Sequence, residues 1–63
     1  MYQLQMKLPT DKVWQAIDLT DYDNALNGYH ELFTVKPRGT TIRLFKKLTD
    51  TALELLAQDT VGN

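Results

Sequence analysis

The sequence predicts a small α+β domain, a three-stranded and mainly antiparallel sheet with helices packed on one face, in the order β-α(-α)-β-β-α. Three observations lead there: a strict apolar alternation at the start, capped apolar stripes at helical spacing in the middle and at the end, and a proline-glycine turn between two runs rich in β-branched and aromatic residues.

Residues Tyr2, Leu4, Met6 and Leu8 alternate with Gln3, Gln5 and Lys7, the period of a strand covered on one side. Pro9 ends that strand. Thr10 reads as a helix N-cap with Asp11 in the positive first turn, and Val13, Trp14 and Ile17 form an apolar stripe. A second start falls at Thr20, followed by Asp21, Asp23, Tyr22, Ala25 and Leu26, and Asn27-Gly28 reads as its stop. Two short helices, or one kinked helix from Thr10 to Asn27, both satisfy this pattern. Residues 29 to 36 (YHELFTVK) and 40 to 45 (TTIRLF) then read as strands of a hairpin turned by Lys36-Pro37-Arg38-Gly39. The last element reads as a helix, because Thr49 caps, Asp50 follows, Leu48 and Leu53 suit a hydrophobic staple, and Ala52, Leu53, Leu55, Leu56 and Ala57 make a wide apolar face before Gly62.

One domain over residues 1–63 accounts for the whole chain, with no repeat and no linker. At this size folding hides only about 60% of the unfolded chain's surface. A net stability of about 3 to 9 kcal/mol follows from the usual range per residue, so a second subunit covering apolar surface adds a significant fraction. Cysteine is absent, which removes disulfides, thiolate metal sites and thiol nucleophiles and suits a reducing compartment. MYQLQMKL has no long apolar run and no small-residue cleavage site, and no segment is long enough to span a bilayer as a helix, so the sequence is read as cytoplasmic.

Side-chain chemistry argues against an enzyme. Serine is also absent, His30 is the lone histidine, and one imidazole beside Glu31 falls short of the three protein ligands of a catalytic zinc site. Asp18, Asp21 and Asp23 do not make a calcium loop, since its fifth and sixth positions are Ala25 and Leu26 instead of an oxygen ligand and glycine. They read instead as acids at a helix start. Gly28, Gly39 and Gly62 lie too far apart for a phosphate nest. No metal and no cofactor is expected.

The net charge is −1, yet Lys36, Arg38, Arg43, Lys46 and Lys47 fall in one acid-free stretch while residues 10 to 31 hold five acids against Lys12 alone. With Leu4, Met6, Phe33, Val35, Ile42 and Leu44 turned inward, alternation sends Gln3, Gln5, Lys7, His30, Leu32, Thr34, Thr41, Arg43 and Phe45 to the helix-free face. There Leu32 and Phe45 flank Arg43, with Lys46 and Lys47 beyond, and apolar anchors rimmed by basic groups are typical of buried interfaces. The expected partner-binding residues are therefore Leu32, Lys36, Arg38, Arg43, Phe45, Lys46 and Lys47. The function they suggest is a small regulatory protein of inhibitor or adaptor type that binds a protein partner or its own copy. The alternative is a nucleic-acid-binding regulator that uses the basic segment 36–47, as a dimer with a doubled positive patch.

Residues Thr40 to Gly62, TTIRLFKKLTDTALELLAQDTVG, also resemble the first half of a ribbon-helix-helix DNA-binding protein, with a strand leading into a leucine-spaced helix. The resemblance covers about a third of the chain. It implies major-groove reading of DNA by Thr41 and Arg43 from a ribbon shared by two copies. The family's second helix has no counterpart here, and Phe45 stands where proline or a polar residue is usual.

Overall fold

In the computed structural model, which describes residues 1–62, the chain runs β1 (Tyr2–Lys7), β2 (Gln15–Leu19), α1 (Tyr22–Val35), β3 (Thr41–Lys47) and β4 (Leu53–Thr60). The four strands form one antiparallel sheet in the order β2-β1-β3-β4, and α1 lies across one face of it. The expected three-stranded sheet with several helices is thus corrected to a four-stranded sheet with a single helix.

β1 follows its alternation, with Leu4 and Met6 buried beneath the helix. The chain then turns instead of entering a helix. Asp11 donates its backbone N–H to the Leu8 carbonyl (3.0 Å) and accepts the Leu8 N–H on Oδ2 (3.3 Å), closing a turn over Pro9 and Thr10. That turn returns the chain alongside β1, so residues 15–19 become β2, with Leu4 opposite Ile17 and Gln3 opposite Asp18. The helix expected from Thr10 is absent because the sheet edge of β1 offers residues 15–19 backbone partners along one side and partial cover for Ile17 and Leu19, which a short helical stripe of three apolar residues does not match.

The true helix begins one residue later than expected and runs much further. Asp21 caps it, accepting the Asn24 N–H at 3.2 Å. The apolar residues Tyr22, Ala25, Leu26, Tyr29, Leu32 and Phe33 hold helical spacing throughout, and Ala25 and Tyr29 are buried. Gly28 is passed without a break. A Cβ built there stands 3.0 Å from Leu4 Cδ1, so this glycine serves the close approach of helix to sheet and does not end the helix. Residues 29–35, expected as a strand, are its second half. Termination comes at Lys36, extended before Pro37, as the residue preceding proline requires.

The turn over residues 36–39 forms, but it joins a helix to a strand. Thr40, fully buried, donates its hydroxyl to the Pro37 carbonyl at 2.8 Å, and Gly39 takes the left-handed conformation with φ of 96°. β3 then runs between β1 and β4 with Ile42 and Leu44 at the bottom of the core. The final segment is the second large correction, because residues 53–60, expected as a helix, form β4. Thr49 Oγ1 does accept backbone N–H groups, from Ala52 (3.0 Å) and Thr51 (3.3 Å), but these bonds close the loop of a β3–β4 hairpin. Ser and Thr hydroxyls make the same bonds in turns as at helix starts. The strand-to-helix pattern behind the ribbon-helix-helix resemblance is therefore absent.

Candidate functional site: the helix-free sheet face

A single helix on one side gives a slab whose principal extents are 31 × 24 × 15 Å, and the other side of the sheet carries no covering layer among the described residues. Alternation from the buried positions sends Gln3, Gln5 and Lys7 of β1, Ala16 and Asp18 of β2, Arg43, Phe45 and Lys47 of β3, and Leu53, Leu55 and Gln58 of β4 to this open face.

At its centre is a stack. The Arg43 guanidinium carbon lies 3.5 Å from the centroid of the Trp14 ring and 5.4 Å from that of Phe45, and Lys7 Nζ lies 5.9 Å from the Trp14 centroid. Trp14 reaches this position from the loop just before β2. Arg43 Nε is buried without a hydrogen-bond partner among the described residues, so the stack holds a partly desolvated cation, the condition in which cation–π attraction is strongest. Phe45 is half-buried opposite Leu55, and Leu53 follows opposite Lys47, which extends the aromatic centre into an apolar flank.

A chain of hydrogen bonds fixes the stack to the sheet. Arg43 Nη2 donates to Gln5 Oε1 (2.6 Å), Gln5 Nε2 donates to Gln3 Oε1 (2.8 Å), and Gln3 Nε2 donates to Asp18 Oδ1 (2.9 Å). Lys47 Nζ pairs with the other oxygen of Asp18 at 3.3 Å. Every amide dipole points the same way, from cation to carboxylate, so each bond polarises the next. The bond from Gln3, followed by Lys47, holds the Asp18 carboxyl below the ordinary aspartate range, against a small opposing effect of desolvation.

The expected site residues separate in space. Arg43, Phe45 and Lys47 lie on the open face. Leu32 does not: it sits on α1, partly buried against the core on the opposite side of the sheet. Lys36 lies at the end of α1, and Arg38 lies in the following turn, its side chain against Gly62. Lys46 is exposed on the helix side, across from Glu54. The basic run is thus divided among the two sides and one end of the slab. His30 and Thr34 are exposed on α1, the former edge-on to Tyr29. Among the described residues no group of three or more His, Cys, Asp or Glu is placed to hold a metal ion.

Sequence reasoning missed Trp14, Leu53 and Leu55. Trp14 was assigned to a helical stripe with Ile17, although the two residues lie on opposite sides of the sheet. The leucines were assigned to a helix although Leu53, Leu55 and Ala57 also alternate, and the bulge between Leu44 and Phe45, which leaves Leu56 unpaired, disturbs that alternation.

A concavity of about 370 Å³ lies on the helix side between α1 and β2. Leu4, Ile17, Leu19, Gly28, Leu32 and Val35 line it, with Glu31 and Lys36 on its rim. Among the described residues no helix is long and apolar enough to cross a membrane. No family model, no curated protein and no solved structure matches this chain.

Proposed function

We propose that this is a non-enzymatic interaction protein that binds a protein partner through its open sheet face, with Trp14, Arg43, Phe45 and Leu55 as anchors. The observation that carries the reading is the preorganised stack of Arg43 between two aromatic rings. Arginine and aromatic residues dominate interface hot spots, and here their ordering precedes contact, so little side-chain entropy remains to be lost.

Charge supports a partner with acidic groups beside apolar ones. The open face has three cations, Lys7, Arg43 and Lys47, and one acid, Asp18, which Lys47 already neutralises. Elsewhere the chain carries four cations and seven acids. Such asymmetry steers one side of the slab toward a negative surface. An inhibitor or adaptor acting in the cytoplasm fits this small cysteine-free domain.

A second reading, single-stranded nucleic acid on the same face, draws on one observation: Trp14 and Phe45 are aromatic platforms beside cations. Against it, Lys36, Arg38 and Lys46 lie off that face and leave only a modest positive patch.

Capture from host lysate separates these readings when wild type is compared with a Phe45→Ala, Leu55→Ala double variant of unchanged circular dichroism. A protein retained by wild type through nuclease treatment, and lost from the variant, is the expected result. Loss from both after nuclease selects nucleic acid. Equal retention by both proteins removes the open face as the binding surface.

A further inference from the structure

We infer that β2 is a dimerisation edge, at which a second copy of this chain pairs its own β2 antiparallel to the first about a two-fold axis at Ile17. Ile17 of each copy then borders the apolar groove between β2 and α1 of the other, while Leu19 stays packed on its own core. This inference is independent of the reading of the open face.

Two features of the same element lead to it. The first is backbone chemistry. β2 has one neighbour in the sheet, so its outer edge presents unpaired N–H and C=O groups. Its five residues, QAIDL, contain no proline, no lysine and no bulge, and its one charge, Asp18, lies on the open face and is already paired with Lys47. The other edge strand, β4, is interrupted by a register shift opposite Leu44 and Phe45 and carries Glu54 and Asp59. Of the two edges, only β2 is regular.

The second feature is side-chain chemistry. Ile17 opposes Leu4 and is therefore on the helix side, yet it remains 53% exposed, and Val35 across the groove is 61% exposed. An added strand that borders this groove must carry apolar residues at alternate positions on the helix side. β2 itself does so, with Ile17 and Leu19. A perpendicular two-fold axis keeps both helices on the same side of the joined sheet, which sets each Ile17 beside the other copy's groove.

The register is also compatible in charge. Pairing about Ile17 sets Gln15 opposite the partner's Leu19 and Ala16 opposite the partner's Asp18, so no like charges are directly opposed. Each Asp18 already holds its own Lys47. The result is an eight-stranded sheet with two open faces side by side. Five paired residues a side bury less than the roughly 1,200 Å² of a standard interface, so the dimer is a weak one, in exchange with monomer at micromolar or higher concentration.

Cross-linking tests the geometry, because the protein has no cysteine of its own. Residue 17 faces its own copy across the axis, where Cβ atoms of directly opposed residues are about 4.5 to 5.5 Å apart, close to disulfide distance. Ile17→Cys should form a covalent dimer under mild oxidation at least tenfold faster than Val13→Cys, which is more exposed but off the axis. Sedimentation should show the wild-type mass rising with concentration from 7.3 kDa toward twice that value. Ile17→Lys, which sets two ammonium groups side by side, should abolish the rise, whereas Phe45→Ala with Leu55→Ala should leave it intact. A wild type that stays at 7.3 kDa, equal cross-linking at positions 13 and 17, or loss of the dimer only in the open-face variant overturns the inference. So does a monomeric wild type whose captured partner is lost in Ile17→Lys, an outcome that gives the edge to a partner's strand.

Discussion

Removing either member of the Trp14–Arg43 stack tests whether the open face is ordered before it meets anything. At 3.5 Å from the ring centroid the guanidinium carbon is at van der Waals contact, with Nε buried and Trp14 36% exposed. Exposed cation–π pairs contribute about 0.5 to 1 kcal/mol and desolvated pairs about 2, which places this partly covered pair near 1 kcal/mol. A double-mutant cycle of Trp14→Ala and Arg43→Ala isolates that coupling from the separate losses of ring burial and of the bond to Gln5. In a domain of this size 1 kcal/mol corresponds to about 4 to 8 °C in Tm. Urea unfolding followed by far-ultraviolet circular dichroism gives the four stabilities. Emission from Trp14, the chain's one tryptophan, separately reports loss of the stack in Arg43→Ala. Arg43→Lys should show the loss as well, because an ammonium neither stacks as a plane nor keeps the geometry of the 2.6 Å bond to Gln5. A coupling below about 0.3 kcal/mol, within ordinary additivity, or full rescue by lysine, refutes a preformed stack.

Leu44 is 1% exposed at the centre of the core, so Leu44→Ala should cost about 2 to 5 kcal/mol against a total of about 3 to 9, leaving a variant at the margin of unfolding in a urea titration. Gly28→Ala should stabilise by about 0.5 kcal/mol: helix propensity favours alanine by nearly 1 kcal/mol, and the Leu4 methyl 3.0 Å from the new Cβ can shift into the adjoining groove. A lower urea midpoint for that variant means that Leu4 is locked. Because Asp18 has its carboxyl depressed by Gln3 and then Lys47, its contribution is present above the unfolded aspartate value of about pH 4 and fades as pH falls through the folded value. Asp18→Asn should therefore flatten that part of the acid limb of stability against pH; an unchanged slope contradicts the bonded network.

β1 and β3 were legible because each is covered on one side only, so its buried residues, Leu4 and Met6 or Ile42 and Leu44, fall at alternate positions, and that alternation sends Arg43 and Phe45 to the open face. The turn at residues 36–39 was legible because proline and glycine restrict the backbone by themselves. The failures share a cause. Thr10-Asp11, read as a cap and a first-turn acid, Thr49 and Gly28 each make a local signal with two structural meanings. A side-chain oxygen that accepts nearby N–H groups caps a helix or closes a turn, and a glycine ends a helix or admits a neighbouring side chain. Which meaning holds is decided by distant residues: β1 for the segment after Asp11, β3 for the segment after Thr49, Leu4 for Gly28.

The same misassignment explains why the candidate surfaces were only half visible. Giving 29–36 to the sheet puts Leu32 on the open face, and giving 10–17 and 49–61 to helices supplies a layer wide enough to cover the whole helix side of a narrower sheet. The actual proportions differ. A 14-residue helix is roughly 21 Å long and covers a width of roughly 10 Å, whereas four strands at about 4.8 Å spacing are about 14 Å wide between their outer members. One helix set over β1 and β3 leaves the outer part of β2 bare, and among the described residues no second layer covers the other side. The groove beside Ile17 and the exposed stack at Arg43 both arise from this shortage of helix. On the proposed reading a partner at either surface adds a layer that the described residues lack, and burial and recognition are then one event.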